Sequence, residues 1–450
     1  MSLLKNAAIV KQYFTLDDKS NMQSAVNSKG CFMNYIPRAA EATVKKISST
    51  FPVLLVTGPR QVGKSTMLQK LAEPDREVVT LDDLDVRLLA KTDPGLFMQR
   101  YRPPVIIDEI QYAPELLPFI KMEADKSERN GGWWLTGSQP LHLMEKVSES
   151  LAGRVGVVDL LGLSTSEIEG VPSEPFTVDS RRLMKRLETA KRRGINEVFD
   201  RIFKGSMPKL YASPALDWEV YYRSYVATYL QRDIKDLAQV GDELSFYQFM
   251  IAIAARTARP TVYEELAQEV GISSPTAKKW LSILVSSHIV ALVQPYHNNA
   301  LKRITKMPLL HFLDTGLAAY LLKWNNPRAL ENGAMAGAFF ESYVFSEIYK
   351  SYLNAGKEPP IFYYRDKDQK EIDLLLYENG ALHPIEVKKA ASPGKSAIKN
   401  FPVLDPVAEP EKFGGAKSLK TEVGDGAVVC LASDLLPIDR KNWYVPVWLI

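Results

Sequence analysis

Cysteine is almost absent from the chain. Cys31 and Cys430 are the only two. They stand near opposite ends, which excludes a disulfide framework and a cysteine-built zinc site and suits a reducing cytosol. Histidine is scarce as well, and His142, His288, His297, His311 and His383 show no metal-ligand spacing. No apolar run approaches the roughly 20 residues of a membrane span, and the N-terminus lacks the apolar core of a signal peptide. Neither sign of charge is in large excess. The net charge is +3, so any basic surface must be local. These absences predict a cytoplasmic protein with no membrane partner. What the chain has is length. Its 450 residues, 46% hydrophobic and 24% charged, predict an ordinary globular protein of two to four domains.

The most informative stretch is Gly58-Pro59-Arg60-Gln61-Val62-Gly63-Lys64-Ser65-Thr66. It reads G-x-x-x-x-G-K-[ST], a P-loop. An apolar run, Phe51 to Thr57, precedes it and a helical pattern, Met67 to Ala72, follows it, as the motif requires. The glycines let backbone N–H groups curl around phosphate oxygens, and the following helix points its positive end at the same charge. Lys64 can reach the β- and γ-phosphates of ATP, and Ser65 can offer its hydroxyl to Mg²⁺. Downstream, Pro104-Val105-Ile106-Ile107-Asp108-Glu109 reads as a buried parallel strand ending in two acids. At its carboxyl end Asp108 can hold Mg²⁺ and Glu109 can polarise the attacking water. Gly132 to Gln139 reads as another central strand, whose Ser138 or Gln139 can sense the γ-phosphate. Arg154 reads equally as a finger on a neighbouring subunit's nucleotide and as a surface arginine.

The rest divides into further segments. Residues 1–33 read as a flexible extension, or Met33 as an alternative start. Residues 34–170 would form the ATPase core and 171–260 a helical lid region. Within that region Arg181, Arg182, Lys185, Arg186, Lys191, Arg192 and Arg193 read more simply as a solvated helix face than as a phosphate-backbone contact. Residues 261–323 predict a winged helix. Thr261 to Val270 is a short helix, Gly271-Ile272-Ser273 a turn and Ser274 to Ser287 a second helix. A strand and a hairpin turn at Asn298-Asn299 follow, ahead of Lys302 and Arg303. Ser274, Thr276, Lys278 and Lys279 would face a DNA major groove. With only two lysines on that helix, a lid or protein contact reads equally well. Residues 324–333 look like a linker.

The last domain, 334–450, carries a second constellation. Asp373, Glu386 and Lys388 follow the D-x₁₂-E-x-K spacing of PD-(D/E)XK nucleases, with Glu341 on a preceding helix. Glu386 and Lys388 are two apart on one strand and therefore share a face. Asp373 comes from the neighbouring strand. Glu341, Asp373 and Glu386 can hold one or two Mg²⁺, and Lys388 can position the water. Whether such a fold cleaves anything is left open by sequence.

Taken in series, Gly58 to Thr66, Ile106 to Leu117, Leu135 to Gln139, Ser150 to Arg154, Phe312 to Leu317 and Ile385 to Lys388 strongly resemble a prokaryotic AAA-type ATPase family. The resemblance covers roughly residues 34–450 and leaves 1–33 outside. It implies an α/β protein with a P-loop parallel-sheet ATPase domain, a helical and winged-helix middle and a C-terminal restriction-endonuclease-like α/β domain. It implies ATP hydrolysis through Lys64, Ser65, Asp108 and Glu109, and a nuclease-like site at Glu341, Asp373, Glu386 and Lys388. The expectation is a DNA-binding homo-oligomer, a hexamer among its forms, that uses ATP and Mg²⁺. The alternative is a nucleotide-controlled signalling switch that acts through protein partners with an inactive nuclease fold.

Overall fold

Five strands carry the first half of the molecule, and each coincides with an apolar run. The structure is a computed structural model, and it describes residues 35–127, 129–137, 140–229, 243–296, 307–407, 412–413, 416–417 and 421–450. Strands β1 (Val53–Thr57), β2 (Glu77–Thr80), β3 (Val105–Asp108), β4 (Trp133–Thr136) and β5 (Val155–Asp159) lie in the order β2-β3-β4-β1-β5. All neighbours are parallel, so Leu55 stands beside Leu135 on one side and Val157 on the other. Alternate residues divide between the two faces. Leu54, Val56, Ile106 and Trp134 enter one apolar cluster, while Val53, Leu55, Ile107 and Leu135 enter the other. Both faces are covered, so β1 needs an unbroken apolar run where a half-exposed strand would alternate. At the sheet edge, β2 buries only Val79. Helix α1 (Glu41–Thr50) leads into β1, α2 (Lys64–Leu71) follows it, and α3 (Pro140–Leu151) joins β4 to β5.

A helical middle follows, with α4 (Thr165–Glu169), α5 (Ser180–Leu187), α6 (Ile195–Lys204), α7 (Trp218–Tyr229) and α8 (Glu243–Ala254). The basic run is less solvated than expected. Arg186 is half-buried and donates to the carbonyls of Glu174, Pro175 and Leu449. Arg193 pairs with Glu169 and Glu197. Arg181 and Arg182 do face solvent.

Next come β6 (Arg259–Pro260), α9 (Tyr263–Val270), α10 (Ser274–Ser286), β7 (Val290–Pro295) and β8 (Leu309–Phe312). Between the two helices Gly271 takes φ 75°, a left-handed turn that favours glycine. β8 pairs antiparallel with both β6 and β7. The expected turn at Asn298-Asn299, with Lys302 and Arg303, lies outside the described residues.

One sheet runs through the remainder. Strand β7 pairs in parallel with β9 (Ile361–Arg365), where Gln294 stands opposite Phe362 and the Tyr296 N–H donates to the Tyr363 carbonyl at 2.7 Å. With β10 (Glu371–Glu378), β11 (Ala381–Lys388), β12 (Gly426–Cys430), β13 (Leu436–Pro437) and β14 (Asn442–Pro446), the order is β13-β14-β12-β11-β10-β9-β7-β8-β6, and Glu422–Val423 lies beside β11. The segment expected to be a linker is structured. After α11 (Thr315–Leu321), residues Pro327–Asn332 form α12. Asn326 and Pro327 are its N-cap and first residue rather than linker punctuation, with the Asn326 carboxamide oxygen accepting the Ala329 N–H at 2.8 Å.

Helix α13 (Ala336–Asn354) is buried on nearly all sides. It ties this sheet to the segment after β5. The Glu347 carboxylate accepts the Thr165 N–H at 2.8 Å and the Lys350 ammonium at 2.6 Å, and Lys350 also donates to the Leu163 carbonyl at 2.8 Å. Ile36–Ile450 accordingly forms one compact unit. Among the described residues no helix is long and apolar enough to cross a membrane.

Candidate functional site

The turn from β1 to α2 has a shape that only certain residues can take. Gly58 has φ 135°, and a Cβ there would lie 2.0 Å from the Leu160 carbonyl oxygen. Gly63 has φ 90° and caps α2. Between them Val62 is buried, Gln61 takes φ 61° and Arg60 donates to the Tyr112 hydroxyl at 3.2 Å. Lys64 is only 5% exposed. Its ammonium donates to the carbonyls of Gly58, at 2.9 Å, and Pro59, at 2.8 Å. The Thr66 side chain faces outward.

Parallel strands bring their carboxyl ends to one edge of the sheet, and the acids arrive there beside the loop. Ser65 Oγ and Thr136 Oγ1 each donate to Asp108 Oδ1 at 2.5 Å. The Glu109 N–H donates to Thr136 Oγ1 at 3.0 Å, and the Gln111 side chain donates to the Glu109 carboxylate. Glu109 itself sits at φ 60°, a conformation that is costly for a non-glycine residue and tends to persist where function requires it. A hydroxyl beside a carboxylate is the oxygen-only donor pair that a hard divalent cation takes. The loop offers backbone N–H groups and one ammonium for phosphate. This set fits a nucleoside triphosphate with Mg²⁺.

Two predicted residues do not join it. Ser138 lies outside the described residues. Arg154 stands at the opposite end of the sheet, where its carbonyl accepts the Val53 N–H at 3.2 Å and its guanidinium pairs with Asp125. It is therefore remote from the P-loop of its own chain. Sequence reasoning missed Arg38 and Thr136. The Arg38 guanidinium, fully enclosed, donates to the carbonyls of Val62 at 2.7 Å and Leu161 at 2.8 Å and to Glu167 at 3.0 Å. It fixes the outer wall of the loop, and nothing in its local sequence marks it.

The second predicted constellation also comes together. Strand β10 slips register against β9 between Ile372 and Leu375, a bulge that re-aims the intervening side chains. Asp373 Oδ2 accepts the Val387 N–H of β11 at 2.8 Å. Lys388 Nζ lies 2.6 Å from Glu386 Oε1 and 3.9 Å from Asp373 Oδ2. Glu341 approaches from α13. Burial, reinforced by Asp373, Glu371 and Glu386, pushes the Glu341 carboxyl well above the usual range. Burial and Asp373 push Glu386 up to about 7, against the pull of Lys388. Asp373 is raised by burial as well, with Lys388 and the Val387 N–H opposing. Glu386 Oε2 is buried without a hydrogen-bond partner. Its chemistry suits a cation, but the arrangement is not a ready cage. Among the described residues no group of three or more acidic, histidine or cysteine side chains could hold a metal ion. As it stands, Asp373 is turned to the Val387 N–H and Glu386 to Lys388.

Comparison with known proteins bears on the first site. Residues 50–169 match the family model described as AAA domain. Over those residues the core is similar to AAA-type P-loop ATPase domains. Residues 195–328 and 336–450 match two models each described as a domain of unknown function, DUF8612 and DUF4143. An uncharacterized protein of Mycobacterium tuberculosis is 25% identical over 370 residues, 82% of this chain and 77% of its own length, and one of Mycobacterium bovis gives the same figures. Among solved structures, the Walker-type ATPase of Pyrococcus abyssi is similar at 16% identity and a TM-score of 0.40, covering 63% of this chain and 94% of that one. The AMPPCP-bound DnaA of Aquifex aeolicus is similar at 13% identity and a TM-score of 0.24, covering 60% of this chain and 88% of that one.

Proposed function

We propose that the protein is an Mg²⁺-dependent ATPase that binds DNA as a homo-oligomer and carries a nuclease-like centre in its C-terminal part. The observation that carries the reading is the meeting of Lys64, Ser65, Asp108, Thr136 and Glu109 at one sheet edge. Phosphoryl transfer asks mainly for positioning and charge neutralisation. Lys64 exchanges its two carbonyl partners for phosphate oxygens. Ser65 and Asp108 would hold the Mg²⁺, which would neutralise charge on the phosphates. Glu109, already fixed through its N–H and by Gln111, orients the attacking water. Arg154 serves the site of a neighbouring copy.

The DNA part of the reading rests on α9 and α10 followed by antiparallel β7 and β8, the elements of a winged helix. Lys278 and Lys279 are exposed on α10. At the C-terminal centre, Glu341, Asp373 and Glu386 would hold the metal and Lys388 would stand beside it. The test is ATP turnover against single-stranded, duplex and four-way-junction DNA, with Lys64→Ala as the inactive control. Stimulation by one DNA structure is the expected result. A slow rate indifferent to every DNA would replace this reading with the nucleotide-controlled switch. That second reading draws support from α10, which packs against α3 of the ATPase core and is thus placed to respond to nucleotide.

A further inference from the structure

Helix α10 ends in an unusual way. The Ile289 N–H reaches back to the Leu284 carbonyl at 2.9 Å and the His288 N–H to that of Val285 at 3.0 Å, the paired bonds of a Schellman cap. The residue at the left-handed position of such a cap is normally glycine. Here it is His288, at φ 54°. Where an L side chain is kept in a conformation that disfavours it, the side chain itself is the place to look for a reason.

That side chain lies beside the strand ends from which the P-loop springs. His288 is 16% exposed, and its Nε2 lies 3.5 Å from Asp159 Oδ1. Asp159 is the last residue of β5, and its carboxylate accepts the hydroxyl of Thr57, its neighbour across the sheet and the residue just before Gly58. Between the imidazole and the loop is a cavity of about 20 Å³, lined in part by Pro59, Val62, Leu161, Gly162, His288 and Asp314. That is room for about one water molecule. Burial holds the imidazole below its usual range, the Asp159 carboxylate pulls the other way, and the Lys64 ammonium depresses it further. The ring therefore stands in the electrostatic reach of the P-loop lysine, where polyphosphate charge would arrive.

We propose that His288 is a nucleotide-binding residue. Borne on the helix-turn-helix, it donates from its ring, directly or through one water, to the phosphate chain of a nucleoside di- or triphosphate at the P-loop, and so clamps α10 to the core when nucleotide is bound. This rests on the P-loop reading above. Phosphate would supply an acceptor between the Lys64 ammonium and the imidazole, whose present acidic neighbour is the Asp159 carboxylate. The clamp makes the exposed face of α10 dependent on nucleotide.

The test uses the full chain with Mg²⁺ and either ADP or a non-hydrolysable ATP analogue. His288→Gly removes the ring at a position whose backbone favours glycine, so the nucleotide-free melting temperature stays within a few degrees of wild type. If it does not, His288→Asn, which tolerates the same φ, takes its place. The expected result is about a tenfold loss of affinity for both nucleotides, a change of roughly 1.4 kcal/mol. Nucleotide would also no longer slow amide exchange across 274–287. Affinity within twofold of wild type, with the slowing of exchange intact, would overturn the proposal while leaving the P-loop reading in place. Failure of the wild-type chain to bind either nucleotide would remove both.

Discussion

Single residues decide the chemistry at both candidate sites, and they do so by opposite means. At the P-loop the requirement is absence of a side chain. In Gly58→Ala the new Cβ meets a backbone carbonyl at 2.0 Å that cannot move without moving β5. The variant should lose several kcal/mol of stability, or fold with a displaced loop and no nucleotide binding. Urea unfolding and nucleotide titration together distinguish these from a neutral change. At the acidic site the requirement is a buried charge held in reserve. Glu386 titrates at about 7 against an ordinary 4.5, so the folded chain favours its protonated form. Its contribution to stability is then fullest below about pH 4.5 and is lost as pH rises through 7. That shift corresponds to something on the order of 3 kcal/mol. Glu386→Gln should be close to wild type in stability at pH 5 and clearly more stable at pH 8, as read from denaturation midpoints. A difference that does not grow with pH would mean that the charge is already compensated. If the site takes a cation as proposed, binding should strengthen as pH rises past 7, because ligation needs the ionised carboxylates.

At the scale of elements, what was legible in the sequence was whatever chemistry forces into a short window. Gly58 to Thr66 had to be a strand-to-helix turn, and Asp373, Glu386 and Lys388 had to sit on adjacent strands, because each motif defines its own local geometry. Contacts made over long separations were not legible. Arg38 reaches Val62, Leu161 and Glu167, and no local pattern announces such an arginine. The join of β7 to β9 was hidden for the same reason, since a two-residue parallel pairing leaves no periodicity of its own. Asn326-Pro327 reads as linker because polar caps and loop residues have the same composition. The seam along α13 belongs to this class and can be tested. Glu347→Ala leaves the Lys350 ammonium buried, at 3% exposure, and the Thr165 N–H without its acceptor. A loss of about 3 kcal/mol is expected, measured by denaturant unfolding, and a loss under 1 kcal/mol would mean that water replaces the carboxylate.

For the whole molecule the question is whether one copy suffices. Arg154 lies at the sheet end away from its own P-loop, half-exposed and paired with Asp125, so it has no access to the nucleotide of its own chain. A surface pair of this kind contributes little to stability, and Arg154→Ala should therefore melt as wild type does. If the arginine completes the site of a neighbour, the same variant should lose ATP turnover by about a thousandfold or more, in line with what such arginines contribute to phosphoryl transfer. The decisive experiment mixes two inactive proteins. In Lys64→Ala the arginine is intact and the P-loop is not; in Arg154→Ala the reverse holds. Mixed assemblies contain interfaces where the arginine of the first faces the loop of the second, so part of the activity should return on mixing, rising with protein concentration as assembly does. No recovery at any ratio, with assembly confirmed by light scattering, would assign Arg154 to the surface and leave the P-loop to be completed from within its own chain.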